Sequence, residues 1–451
     1  MTAAELLAKY DIPGPRYTSY PTVPYWTQAP TPAQWLSHME RAVQRARGEG
    51  QGASLYLHIP FCKSLCHYCG CHTFITRDRS VSDPYVQGLL GEWGLYFQRL
   101  GRVRLDEVHL GGGTPTFLTA EQLKVLLSGL FERAEVSEDT ERSIEVDPRT
   151  TTRDQLEVLS ALGFRRISLG IQDFDPVVQA AVNRHQTLDE VRRVTEDARA
   201  LGFTSVNYDL IYGLPKQTLP SVQGTIETVK ALRPDRIAFY GYAHVPWMKS
   251  VQRKFEDADV PAGPAKRRLY EAGREALEAA GYREIGLDHF ALEGDGLWRA
   301  VREGKMHRNF MGYTERATMP MFGLGVSSIG DTWTAFAQNA KTVPEWSARV
   351  AAGELPIARG HLLDDEDQVL RRHILAVMTR FETDWSMDTV PYLAEVPGKL
   401  RELASDGLVA LGAQGVQVTE QGRPFVRNVC MALDARLARQ APDRPLFSRT
   451  V

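Results

Sequence analysis

Short apolar runs rich in β-branched and aromatic residues recur from Ser54 onward: SLYLHIP, LDEVHLGGG, SIEVDP, RISLGIQD, SVNYDLIYGLP and RIAFYGYA. Each has the length and composition of a buried strand. Between them lie segments such as TAEQLKVLLSGLFERA and LDEVRRVTEDARALG, in which apolar residues return every three or four positions, as in amphipathic helices. Several of these segments end at glycine, a common helix stop. Strand, helix, strand, repeated, predicts a parallel sheet with helices outside it. Six such units in about 190 residues fall short of the roughly 250 that a closed eight-unit barrel takes. The pattern therefore predicts an α/β fold, either a partial (β/α)6 barrel or a doubly wound sheet.

The two ends of the chain break this rhythm. Residues 1–35 form a Pro- and Tyr-rich lead, IPGPRYTSYPTVPYW, whose prolines argue against a helix or a central strand. It reads as an arm or lid. Residues 36–350 hold the barrel and an extension. Residues 351–451 turn helical, with EDQVLRRHILAVMTRF and VPGKLRELASDG, and then LVALGAQGVQVTEQGRPFVRNVCMALDARL reads as a hairpin followed by a helix. This helix, hairpin, helix order resembles a winged helix, so the small C-terminal domain is either a packing module or a nucleic-acid binder.

Charge speaks against the second. With 53 basic and 56 acidic side chains the formal net charge is -3, which leaves no electrostatic footprint for nucleic acid or an anionic membrane. The start, MTAAELLAKYDIPGPRY, has no charged segment leading into an apolar run, and no stretch approaches the roughly 18 apolar residues of a membrane span. The expectation is a cytoplasmic, unexported protein that engages neither membrane nor nucleic acid.

Cysteine placement changes the picture most. Four of the five cysteines fall between Cys62 and Cys71, with Cys430 apart. In a large chain without an export signal, such clustering points to metal or redox chemistry rather than crosslinks. HIPFCKSLCHYCGCHTF spaces Cys62, Cys66 and Cys69 as CxxxCxxC directly after the first strand. A cubane 4Fe-4S cluster takes four ligands, so three thiolates leave one iron open to a small molecule. Zinc competes, with His58, His67 and His72 nearby, but a second, separated half-site is not visible. Cys71 is read equally well as a packed or solvent-facing thiol and as a functional one.

Further polar signals fall at the ends of the strand candidates, where parallel sheets bind ligands. Gly111, Gly112 and Gly113, followed by Thr114, close the second strand, and residues without Cβ let the backbone approach a ligand. Glu145 ends the third strand, Gln172 the fourth, Asp209 the fifth and Ala243 the sixth. A lone carboxylate at a strand end is usually a salt-bridge partner, but four such positions in register with a three-cysteine loop favour a ligand site.

At this point CxxxCxxC after the first strand of a six-unit βα pattern resembles the radical S-adenosylmethionine superfamily. More of the chain, PGPRYTSYPT, LYLHIPFCKSLCHYCGC, HLGGGTPT, RISLGIQDF, YDLIYGLP, HRNFMGYT, GLGVSSIG and RNVCMALD, is similar to the oxygen-independent coproporphyrinogen III oxidase family, nearly end to end. That resemblance implies an enzyme of porphyrin and haem biosynthesis with an N-terminal arm, a partial barrel and a helical C-terminal domain. Its members oxidatively decarboxylate two propionates of coproporphyrinogen III to vinyl groups, through a 5′-deoxyadenosyl radical formed when a 4Fe-4S cluster cleaves S-adenosylmethionine. Cys62, Cys66 and Cys69 would then ligate the cluster. Two molecules of S-adenosylmethionine would be bound among Tyr56, Tyr68, Gly112, Gly113, Thr114, Glu145, Gln172, Arg184, Asp209, Ala243 and Ile329. The expectation is a monomer that takes coproporphyrinogen III as substrate and works with an unidentified electron donor and acceptor. Arg16, Arg308 and Lys249 are candidate partners for substrate carboxylates by residue type alone. Two alternatives stay open: a haem-handling relative on the same scaffold, and a cluster-containing regulator acting through the C-terminal domain.

Overall fold

The computed structural model describes residues 1–440, 442 and 446–451. Six parallel strands form its centre: β1 (Ala53–Ile59), β2 (Val103–Gly112), β3 (Ala134–Val146), β4 (Arg166–Gln172), β5 (Ser205–Tyr212) and β6 (Arg236–Gly241). Each is followed by a helix that returns the chain along the outer face, in order α3 (Ser82–Leu100), α4 (Ala120–Phe131), α5 (Arg153–Ala161), α6 (Leu188–Ala200), α7 (Leu219–Leu232) and α8 (Gly263–Ala279). The six strand runs legible in the sequence are thus the six strands of the (β/α)6 unit. β7 (Tyr282–Ile285) and β8 (His289–Leu292) extend one edge of the sheet. β9 (Met321–Leu324), β10 (Ile329–Asp331), β11 (Ala335–Asn339) and β12 (Ile357–Leu362) extend the other, giving twelve strands in the order β12-β11-β10-β9-β1-β2-β3-β4-β5-β6-β8-β7. The sheet does not close on itself.

Burial explains the sequence pattern. Six of the seven residues of β1 are buried, because the strand lies mid-sheet with side chains packed on both faces. β4 alternates instead: Ile167, Leu169 and Ile171 are buried under the helices, while Arg166, Ser168, Gly170 and Gln172 are half-buried on the opposite, polar face. That polar face lines the concave side of the barrel, where the chemistry gathers.

One buried carboxylate ties α3 to the β9–β11 edge. Glu92 accepts hydrogen bonds from the Gly325 amide (2.8 Å), the Trp346 indole (2.9 Å) and the Asn339 amide (2.6 Å). Burial outweighs these three donors and pushes its pKa up to about 7. A folded-state pKa above the unfolded value means that the protonated group contributes stability at low pH and loses it as pH rises through 7. Glu92→Gln is expected to destabilise the protein by about 1–3 kcal/mol, since its amide N–H meets donors. Its deficit relative to wild type should be largest near pH 5 and shrink towards pH 8 in denaturant titrations.

The N-terminal segment is more firmly seated than a lid. It opens with α1 (Ala3–Tyr10), fixed by a Thr2–Glu5 capping box, ahead of the proline-rich run. Leu6, Leu7, Tyr10, Tyr17 and Tyr20 share one apolar core with Ile374, Val377, Val426 and Val429 of the C-terminal part. Arg427 donates to the carbonyls of Pro15 (2.8 Å) and Gly14, and Pro13 bridges Arg449. The prolines keep residues 12–21 from forming a helix, yet their aromatic neighbours are still buried. Removing residues 1–35 would therefore uncover a core. Pro32 stands at the first position of α2 (Pro32–Gly48), so a division at residue 35 falls inside that helix.

The C-terminal part follows the expected helix, hairpin, helix order. α9 (Asp365–Arg380), α10 (Val396–Ser405) and α11 (Val426–Leu433) surround a hairpin of Val409–Leu411 and Gly415–Val418, which the strand Glu382–Asp384 extends. β12 lies beyond residue 350 yet belongs to the main sheet.

Candidate active site

Just past β1 the chain forms a short strand, Phe61–Cys62, paired in parallel with Phe74–Ile75. The Phe74 amide donates to the Pro60 carbonyl (2.8 Å) and the Thr76 amide to the Cys62 carbonyl (2.9 Å). These bonds clamp both ends of the cysteine loop. Within it the His67 amide donates to the Val182 carbonyl (2.9 Å), anchoring the loop to the segment after β4. All five cysteines are free thiols. Cys66 is buried, Cys62 and Cys69 are half-buried, and Cys71 is exposed.

The loop faces a cavity of about 630 Å³ at the carboxyl ends of the parallel strands. The four cysteines Cys62, Cys66, Cys69 and Cys71 line it together with Gly112, Gly113, Thr114, Glu145, Asp147, Gln172, Arg184, Asp209 and Tyr240. Each element supplies its residue for a local reason. Gly112 has φ 115°, and a Cβ there would come within 2.7 Å of His58 Nδ1; at Gly113 it would lie 2.5 Å from the Pro60 carbonyl oxygen. Only bare backbone fits between β2 and the base of the cysteine loop. Gln172 ends β4 with φ 72°, a left-handed conformation that costs about 1–3 kcal/mol for a residue with a side chain.

Hydrogen bonds hold the carboxylates in place. Glu145 accepts from the Gly112 amide (3.2 Å) and from His109 Nε2 (3.3 Å), whose other nitrogen contacts Ser143 Oγ (2.7 Å). Asp209 accepts from Ser168 Oγ and Asn207 Nδ2, each at 2.8 Å. Asp147 is bound by Arg149 (2.6 Å) and approached by Arg184 (3.4 Å). Arg184 also donates to the Gly170 carbonyl and points a nitrogen at Cys66 Sγ, 3.8 Å away.

The electrostatics are divided. Burial drives the Glu145 carboxyl up, but His109 and the Gly112 amide more than offset it, so its pKa lies below the ordinary range. Asp209 is pushed up to about 7, first by burial and then by the charge of Glu145. Burial opposes the Arg184 charge, yet Tyr68, Asp147 and Cys66 together raise it above its usual value. Among the thiols, burial lifts Cys62 to about 11, while a hydrogen bond from Cys71 holds Cys69 down to about 6.

This donor set fits an iron–sulfur cluster. Cys62, Cys66 and Cys69 line one cavity from a loop pinned at both ends, and the Arg184 guanidinium beside Cys66 would offset thiolate charge. Among the described residues, no three His, Cys, Asp or Glu side chains converge tightly enough for a single metal ion, as tetrahedral zinc requires. Beyond the cysteines the cavity has room, bare backbone and paired carboxylates for a polar ligand with hydroxyl and ammonium groups.

Eight of the eleven residues expected to hold that ligand line the cavity: Tyr68, Gly112, Gly113, Thr114, Glu145, Gln172, Arg184 and Asp209. Tyr56 sits behind it, stacked on His109 with ring centroids 5.9 Å apart. Ala243 does not end the sixth strand. β6 stops at Gly241 after the Tyr242 amide makes its last bond to the Tyr212 carbonyl (2.8 Å), and the Ala243 carbonyl is then taken by Gln252 (3.2 Å). Asp209 likewise lies inside β5, which runs on to Tyr212. Ile329 starts β10 and packs against the Trp26, Phe336 and Leu363 cluster. Sequence reasoning passed over Asp147 and Tyr240. Of the cations named by type, Arg16 pairs with Asp288 (2.6 Å) and covers the Tyr240 ring, Arg308 is buried over Tyr313, and Lys249 reaches the Cys71 carbonyl (3.5 Å).

Comparison with known proteins agrees with this geometry. Residues 56–229 match the radical SAM superfamily. The chain is 40% identical to the oxygen-independent coproporphyrinogen III oxidase of Pseudomonas aeruginosa, over 99% of this chain and 98% of that protein. It is 39% identical to the enzyme of the same name from Escherichia coli K12, again over 99% and 98%. The solved structure of coproporphyrinogen III oxidase from Escherichia coli, described as a radical SAM enzyme, superposes with a TM-score of 0.87 at 39% identity, covering 93% of this chain and 97% of that one.

Proposed function

The chain belongs to the oxygen-independent coproporphyrinogen III oxidase family of the radical SAM superfamily, and from that premise we propose the roles of its own residues in the reaction. The protein is an oxidoreductase of porphyrin biosynthesis that converts two propionates of coproporphyrinogen III to vinyl groups, giving protoporphyrinogen IX. When bound, the 4Fe-4S cluster and S-adenosylmethionine would supply hydrogen-atom abstraction from the propionate side chain, after which carbon dioxide and one electron leave, the electron passing to a separate acceptor.

Cys62, Cys66 and Cys69 hold the cluster, and Arg184 steadies the charge on Cys66. Glu145 and Asp209 accept hydrogen bonds from the hydroxyl and ammonium groups of S-adenosylmethionine, while the backbone at Gly112 and Gly113 lies against it. Tyr68, Thr114 and Gln172 complete the enclosure. Tyr56 orients His109 and through it Glu145, a positioning role. Ala243 and Ile329 lie outside the lining of this cavity, and they complete the set among which the two S-adenosylmethionine molecules of the family would be bound. Arg16, which covers the Tyr240 ring, and Arg308, which donates to the Arg16 carbonyl, would meet substrate carboxylates; Lys249 would border the cysteine loop through the Cys71 carbonyl. The protein works as a monomer with separate electron donor and acceptor. No described helix is long and apolar enough to cross a membrane, and we place the enzyme in the cytoplasm. The arm (1–35), barrel (36–350) and C-terminal domain (351–451) act as one unit around this site.

The observation that carries this reading is the meeting of three loop thiols with Glu145, Asp209 and Arg184 in one cavity. Glu145→Ala tests it. The variant should keep the iron–sulfur absorbance yet bind S-adenosylmethionine about tenfold or more weakly, the worth of one charge-assisted hydrogen bond. Unchanged affinity in an equilibrium titration would remove Glu145 from the ligand site.

A further inference from the structure

A second cavity, about 370 Å³, opens between the end of β6, α8, the N-terminal segment and the C-terminal residues. It is separate from the active-site cavity. Tyr240 lines the active site and Gly241 lines this one, as expected for neighbouring strand residues that face opposite sides. Seven lysine and arginine side chains line it against four carboxylates. Most of that charge is matched: Arg16 pairs with Asp288, Arg267 and Arg274 with Glu271, Arg423 with Glu420 and Arg449 with Asp11. Arg427 is held by the backbone carbonyls of Gly14, Pro15, Arg449 and Thr450.

Lys266 is different. Among the described residues its ammonium has neither a hydrogen-bond acceptor nor a carboxylate partner, and its nearest ring is Tyr212, 5.7 Å from nitrogen to centroid. The Tyr212 hydroxyl also lacks a hydrogen-bond partner among the described residues. Both polar heads flank Gly241: a Cβ on that residue would lie 2.9 Å from the Tyr212 oxygen and 3.4 Å from the Lys266 nitrogen. Burial presses the lysine down to about 8 against the pull of Asp11, with Arg427 and Arg16 adding repulsion. A half-buried ammonium without an ion-pair partner, with Arg427 and Arg16 near it, is favoured when an anion joins it.

We infer that this cavity is an oxyanion site, in which Lys266 and Tyr212 donate hydrogen bonds to a carboxylate or phosphate group seated on the bare backbone of Gly241. Arg267 and Arg427 supply the surrounding positive field. Two sources share this chemistry: a propionate of the tetrapyrrole, reaching past the Tyr240 end of the active site, and a free small anion.

Full-length, anaerobically reconstituted protein titrated calorimetrically with inorganic phosphate at low ionic strength tests the site. Wild type should bind saturably, Lys266→Met at least tenfold more weakly, and Lys266→Arg close to wild type. Tyr212→Phe removes one donor without changing charge and should show a smaller loss, which keeps the test decisive if Lys266→Met fails to fold. Absence of saturable binding to wild type, or equal affinity in all variants, would overturn the inference. A parallel titration with coproporphyrin III separates the sources. Competition by phosphate together with weaker porphyrin binding in Lys266→Met assigns the site to a propionate. Porphyrin binding and turnover unchanged in that variant, with phosphate binding lost, assigns it to a free anion.

Discussion

Replacing Cys62, Cys66 or Cys69 by alanine, one at a time, is expected to abolish both the broad iron–sulfur absorbance of the reconstituted protein and all turnover of the porphyrinogen. In the proposed site each thiolate would hold a different iron of a cubane cluster, so replacing one would leave two irons without a protein thiolate. The loop is pinned at both ends by the Phe74 and Thr76 amides, which limits how far a substitute thiol could travel. Cys71→Ala, by contrast, should retain the cluster. The residue is exposed and follows Cys69 by two positions, outside the CxxxCxxC spacing. Absorbance lost only in the Cys71 variant would reassign the ligands.

Arg184→Met is expected to damage stability and catalysis together, for one reason. The guanidinium is buried and joins three separate pieces: the Gly170 carbonyl on β4, Asp147 after β3 and Cys66 on the loop. Removing one member of a buried charged group costs about 3–5 kcal/mol when its partner is left alone; Arg149 still binds Asp147, which places this variant at about 3 kcal/mol. Denaturant unfolding of the cluster-free protein should show that loss, and the reconstituted variant should hold less iron. Arg184→Lys keeps the charge but cannot span three acceptors at once, so it should recover part of the stability. Equal stability of Arg184→Met and wild type would mean that the contacts around Cys66 are incidental.

The six parallel strands were legible because each is a continuous apolar run bounded by breakers, and the cysteine spacing placed the loop directly after the first of them. β7 to β12 were not, since most are three to five residues long and pair antiparallel, so their side chains carry no sustained period. The seating of the N-terminal segment was hidden for a different reason. Leu6, Leu7 and Tyr10 bury against residues some 370 to 430 positions away, and local pattern carries no sign of such a partner. At the site, Glu145 was found from its place at a strand end. Asp147 carried the same signal two residues on, followed by Pro148, and would have been found by extending strand alternation past the last apolar residue. Tyr240 was masked inside RIAFYGYA, where an aromatic reads as core. Ala243 was misplaced because the run of apolar residues continues after the hydrogen-bonded strand has ended.

The most direct test of radical decarboxylation at this cavity is anaerobic incubation of the reduced, reconstituted protein with S-adenosylmethionine and coproporphyrinogen III, following nucleoside and tetrapyrrole products by mass. Formation of 5′-deoxyadenosine together with the singly decarboxylated intermediate and protoporphyrinogen IX is the expected result. Deoxyadenosine without any decarboxylated tetrapyrrole, or tight haem binding with neither product, would contradict it.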